Sequence, residues 1–220
     1  MTNIAPLLKV SALVTAGVFA LAACTGNEPA QSESSPELNT CRELLGRDGV
    51  DAARQAVGGD EVRAEAPVSA RKLAETMAEE ARARAADDED LSRDSYEPCR
   101  LSGRTADTQV VTRVKWSVLT MNSVSEGKLA GQWRQAAKDL YVHEADGGKR
   151  VGLLVTCQVP KAPASQREGV PLEVEVSGAG TAGGDARLSA RLALSLAGNL
   201  RGLLGCTDPV TLPTALPGQG

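Results

Sequence analysis

The chain contains one Ile and one Phe, and both, Ile4 and Phe19, lie upstream of residue 24. Whatever folds beyond that point must pack with Val, Leu and Ala, helped only by Trp116, Trp133, Tyr96 and Tyr141. The scarcity bears on binding too. Sites for sugars or single-stranded nucleic acid commonly rely on aromatic platforms, where each stacked base contributes roughly 1–3 kcal/mol. With four aromatics, some of them needed by the core, an aromatic-lined groove is not expected. The chain carries 24 Lys+Arg against 28 Asp+Glu, and Lys9 is the only charge among the first 23 residues, so the remainder has a formal charge of −5. That balance leaves no footprint for nucleic acid and little attraction to anionic lipid.

Periodicity divides the chain into helices, then strands, then a helix. Residues Arg42–Val57 carry Leu44, Leu45, Ala52, Ala53, Ala56 and Val57 at helical spacings, interrupted by Asp48-Gly49 and closed by Gly58-Gly59, which predicts two short helices. Ser69 is placed to cap a helix reaching Ala86, with Leu73, Met77, Ala81 and Ala85 as a narrow stripe. The run Asp87–Asp90 opposes the dipole at that helix end and reads as a loop. Alternation then predicts strands over Tyr96–Ser102, Asp107–Met121, Leu140–Glu144, Arg150–Val159 and Pro171–Ser177, with a hairpin turn at Ala145–Lys149. In Asp107–Met121 the residues Val110, Thr112, Val114, Trp116 and Val118 share one face. Last, Asp185 is placed to cap a helix to Leu204, with Leu188, Leu192, Leu196, Leu200 and Leu203/Leu204 along one side and Gly205 at its end. The expected fold is α+β: an antiparallel sheet of about five strands with helices on one face.

The N-terminus carries a different kind of signal. Lys9 precedes an apolar run from Val10 to Leu21, too short to span a bilayer and placed where a cleavable export signal belongs. Leu21-Ala22-Ala23-Cys24 resembles the lipobox of bacterial lipoproteins. The resemblance implies lipid on Cys24, cleavage before it, and a tether on the extracellular side of the cell membrane. Residues 24–40, rich in Ser, Glu, Pro, Gln and Asn, then read as a flexible spacer. A single domain over 41–207 and a C-terminal tail over 208–220 follow. The Ala- and Arg-rich composition, and a loosely similar layout from Cys41 to Cys206, resemble uncharacterised secreted lipoproteins of actinobacteria.

With Cys24 assigned to lipid, Cys41, Cys99, Cys157 and Cys206 remain on the oxidising side of a membrane. Three pairings are open. Cys41–Cys99 with Cys157–Cys206 is favoured, because each bridge would join neighbouring elements within its own half of the chain. A four-cysteine zinc site is the rival, and it lacks any Cys-x-x-Cys spacing.

Candidate chemistry is thin. Gly178–Gly183 spells G-x-G-x-x-G, yet the strand before it carries Glu173 and Glu175, as a half-wet strand does. Ser69–Lys72 and Ser125–Lys128 both spell S-x-x-K without the accompanying motifs of penicillin-recognising enzymes. The single histidine, His143, reads as a surface strand residue, with a hydrolase base as the alternative. No catalytic, cofactor or metal residues are assigned, and no cofactor is expected. The expected function is a membrane-anchored, non-enzymatic binding or accessory domain for a protein or envelope partner. A carrier of a small hydrophobic ligand or lipid, held between the sheet and the Leu-rich helix, is the alternative.

Overall fold

The computed structural model describes residues 34–83, 93–105, 108–126, 129, 131–179 and 186–217. The first helix, α1 (Pro36–Leu45), starts where local chemistry favours it: Pro36 sits in its first turn and the Leu38 N–H donates to Ser35 Oγ at 3.2 Å. Residues 36–40, expected in the spacer, are therefore helical, and Leu38 is buried. Gly46, at φ 76°, breaks the run, and α2 (Arg47–Val57) follows at once. The break falls before Asp48-Gly49, which lie inside α2, because Gly46 is the residue that takes the left-handed conformation.

After β1 (Arg63–Glu65), α3 (Ala70–Ala83) is capped by Ser69, whose Oγ accepts from the Lys72 N–H at 3.3 Å. The expected column Leu73, Met77 and Ala81 is buried, and Ala70, Ala74 and Ala78 widen it. Residues Asp87–Asp90 lie outside the described residues.

The strands are β2 (Ser95–Tyr96), β3 (Arg100–Ser102), β4 (Gln109–Trp116), β5 (Arg134–Ala137), β6 (Leu140–Ala145), β7 (Arg150–Val155) and β8 (Leu172–Ala179). The short helices α4 (Met121–Ser125) and α5 (Gln166–Gly169) and the long α6 (Ala186–Leu204) complete the fold. With β1, these make an eight-stranded sheet of order β1-β3-β4-β8-β7-β6-β5, with β2 also on β4 and every pairing antiparallel.

Eight strands replace the expected five for physical reasons. β1 and β5 are short and carry no apolar alternation, so pairing alone makes them strands. The expected strand Tyr96–Ser102 splits into β2 and β3 around Pro98-Cys99, since Pro98 has no N–H to give and Cys99 turns inward. Thr112 secures the break: its hydroxyl donates to the Cys99 carbonyl at 2.8 Å and accepts from the Cys99 N–H at 3.0 Å. Beyond Trp116 the chain leaves the sheet for α4, and β7 stops at Val155 rather than Val159.

The main core lies between the sheet and α1, α2, α3 and α6. Leu192, Leu196 and Leu200 meet Leu153, Leu172, Val174 and Val176, all fully buried, so apolar side chains fill this layer. Trp116 belongs to it and donates from Nε1 to the Met77 carbonyl at 2.8 Å. A second, smaller cluster sits on the opposite face, where α4 and Trp133 cover Leu154 and Tyr141. The helical cover is thus unequal on the two faces rather than confined to one.

Both disulfides form in the expected pairing, Cys41–Cys99 and Cys157–Cys206, with Cα separations of 5.3 and 5.0 Å. The four cysteines are therefore not free to bind zinc. Residues expected as a C-terminal tail pack as well: Asp208 and Leu216 are buried, with Val210 and Leu212 against the core.

One close approach supplies a test. A Cβ on Gly103 would lie 1.9 Å from the Val57 carbonyl oxygen and 2.6 Å from Thr108 Oγ1. The carbonyl belongs to the last turn of α2 and cannot swing aside cheaply. Gly103→Ala is expected to destabilise the fold by about 3 kcal/mol, read as a lower urea midpoint at unchanged slope.

Candidate functional site on the open face of the sheet

Along β4 and β8 the face turned away from the main core carries charged pairs, and their pattern follows from register. Arg113 of β4 lies opposite Glu175 of β8, and Lys115 opposite Glu173. Their charged atoms close to 3.1 and 3.2 Å, and Ser117 Oγ donates to Glu173 Oε2 at 2.6 Å. Such partly exposed pairs contribute little stability, on the order of 0–1 kcal/mol each. Their effect is geometric, because they hold long side chains in one arrangement. On the far side of β8, Gly152 of β7 opposes Glu175, and Leu154 opposes Glu173.

Trp133 leans onto this face near Gly152, where a Cβ would sit 3.6 Å from its Cη2 atom. Its ring centroid is 5.5 Å from that of His143, tilted by 37°. His143 on β6 therefore packs against an aromatic ring at the edge of the open face. Trp133 is 9% exposed, so neither tryptophan forms an exposed platform.

Where β8 leaves the sheet, the face deepens into a groove of about 360 Å³ lined by Arg113, Lys149, Arg150, Asp146, Ser177 and Gln109, among others. Its wall is the tight turn Asp146–Gly148, in which Asp146, Gly147 and Gly148 have φ of 55°, 68° and 83°. Asp tolerates that conformation better than most residues, and Arg150 Nη2 donates to Asp146 Oδ2 at 2.8 Å. A Cβ on Gly148 would meet Ala186 Cβ at 2.5 Å, so the turn is seated on the start of α6. The Lys149 carbonyl accepts from the Gly178 N–H at 2.9 Å, which ties the turn to β8.

The remaining residues singled out in the sequence take other places. Cys24 lies outside the described residues, as do Gly180–Gly183 of the G-x-G-x-x-G run. Gly178 lies within β8, which is antiparallel to both neighbours, whereas a dinucleotide fold needs parallel strands. Ser69 is a helix cap, and Ser125 Oγ donates to the Asn122 carbonyl at 3.3 Å. Among the described residues there is no cluster of three or more His, Cys, Asp or Glu that could hold a metal ion. No described helix is long and apolar enough to cross a membrane.

Asp208, which no motif marks, is a buried carboxylate with several hydrogen-bond donors around it. It accepts from the Gln158 N–H at 2.6 Å, the Thr156 hydroxyl at 2.7 Å and Arg201 Nη1 at 3.2 Å. Arg201 also donates to the Thr156 and Asp208 carbonyls. Burial pushes the Asp208 carboxyl up, but these hydrogen bonds and the Arg201 charge outweigh it and hold the group below the usual carboxylate range. With side chains 9% and 2% exposed, Arg201 and Asp208 form a buried structural clasp beside Cys206.

The groove residues escaped sequence reasoning because they come together only through register. The available signal was the alternation of Arg113 and Lys115 on one strand with Glu173 and Glu175 on another. Compared with known protein families, curated proteins and solved structures, the chain matches none.

Proposed function

We propose that this protein is a lipid-anchored, extracytoplasmic binding module that presents the open face of its sheet to a protein or envelope partner. The observation that carries the reading is the unequal cover of the sheet. One face is sealed by α1, α2, α3 and α6, while the other offers an ordered array of charged pairs leading into a groove. The resemblance of Leu21–Cys24 to a lipobox supplies the membrane address, and the polar stretch before Pro36 supplies reach. The fully occupied layer between the sheet and α6 gives no support to the hydrophobic-carrier alternative.

The test is photo-crosslinking in the native host with a benzophenone amino acid in place of Lys115, which is half-buried on the open face, and of the exposed Arg191 of α6 as control. A discrete adduct from position 115, absent from 191 and lost when Cys24→Ser releases the protein from the membrane, is the expected result. Equal adducts from both positions would remove the open face as the docking surface. Retention of the Cys24→Ser protein in the membrane would remove the lipid tether.

A further inference from the structure

The groove beside the Asp146–Gly148 turn holds more hydrogen-bond donors than the fold uses. Arg113 gives one guanidinium contact to Glu175, at 3.1 Å, and Arg150 gives one to Asp146, at 2.8 Å. A guanidinium has five N–H groups, so both retain donors. Among the described residues the Lys149 ammonium and the Ser177 hydroxyl have no partner at all. We propose that this groove binds a phosphate ester carried by the partner, an inference that rests on the open face being the docking face.

Charge favours an anion here. Arg113, Lys149 and Arg150 outnumber Asp146 and Glu175, so the groove is locally positive on a chain of net charge −4. Screening over about 8 Å at physiological salt makes that local balance, and not the net charge, decide what enters.

The donor geometry favours phosphate over carboxylate. A carboxylate presents two oxygens in one plane, and Glu175 and Asp146 already offer that to each guanidinium. A phosphoryl group presents three oxygens in a tetrahedral arrangement and can accept from both guanidiniums and the ammonium together. The ester is not a nucleotide, because no aromatic residue lines the groove to stack a base. Nor is it part of an anionic bilayer. An extended negative surface would meet Glu173 and Glu175 beside the groove as well as the net negative charge of the chain. The turn that forms the wall is fixed at both ends, on Ala186 and on Gly178, so the backbone that carries Lys149 and Arg150 is in place before the ligand arrives.

The experiment is an NMR titration of the full-length ¹⁵N-labelled protein in a non-ionic detergent, with glycerol 2-phosphate as probe and sodium acetate as the competing anion. Saturable shifts at the amides of Gln109, Lys149, Arg150, Ser177 and Gly178 are expected, with a millimolar Kd that weakens at high salt. Acetate should bind at least about fivefold more weakly, and Lys149→Gln should weaken glycerol 2-phosphate by about fivefold at an unchanged thermal midpoint. Among the described residues the Lys149 side chain makes no hydrogen bond or ion pair, so this variant separates binding from folding. Shifts that do not saturate, an equal response to acetate, or full binding by Lys149→Gln would each overturn the proposal. So would Lys149-dependent co-sedimentation with phosphatidylglycerol vesicles in the absence of glycerol 2-phosphate binding. If phosphate binding fails while position 115 still crosslinks its partner, the ligand class is wrong and the docking face stands; loss of crosslinking with phosphate binding intact overturns the docking face instead.

Discussion

Replacing Cys157 and Cys206 together by alanine is expected to lower stability by about 4 kcal/mol, the loop-closure term for a bridge of this span. The bridge closes a separation of 49 residues and fastens the end of α6 to the segment that follows β7. For a chain of this size the loss corresponds to a fall in Tm of roughly 8–16 °C. The Cys41–Cys99 bridge closes 58 residues and carries a term of similar size, about 4 kcal/mol. Removing both would approach the whole stability of an ordinary domain, about 5–15 kcal/mol. Urea unfolding of the oxidised, singly substituted and fully reduced proteins measures the series. Midpoints that coincide for oxidised and reduced protein would show that the Val, Leu and Ala core suffices without the bridges.

The second large effect concerns Asp208. Asp208→Ala leaves the Arg201 guanidinium buried without its carboxylate, and leaves the Gln158 N–H and the Thr156 hydroxyl without an acceptor. A loss of about 3–5 kcal/mol is expected. The pH dependence has a definite sign. Folding lowers the Asp208 pKa, so its contribution is fully present above the ordinary aspartate range, near 3.9, and is lost as pH falls through the lower folded value. The stability gap between wild type and Asp208→Asn should therefore be widest near neutrality and narrow in acid. Thermal unfolding of both proteins from neutral pH down to strong acid reads the trend. A gap that stays constant with pH would show that the ionised form is not what the site favours.

Much of this architecture was legible because its elements carry their own pattern. The leucine column of α6, the stripe of α3, and the alternation in β4 and β8 each declare a buried side without reference to anything distant. The disulfide pairing followed from the placement of the cysteines beside those elements. The elements that were missed lack such a pattern. β1 and β5 are strands only because β3 and β6 lie alongside, and Pro36–Thr40 is helical because Ser35 caps it and Leu38 finds a hydrophobic seat. The groove was hidden for the same reason at longer range. Arg113 and Glu175 stand 62 residues apart, and only the register of β4 on β8 sets them face to face. The Arg201–Asp208 clasp needed the position of Thr156, which no periodicity in its own segment specifies.

The Cys41–Cys99 bridge has a mechanical consequence. A pull on the N-terminal end enters at α1 and meets a covalent link within its second turn. From there tension crosses directly to Cys99, whose backbone is held by Thr112 in the middle of β4. The load path thus bypasses α2, β1 and α3 and arrives in the strand that carries Arg113. Stretching from that end would strain the central sheet while leaving the intervening helices slack.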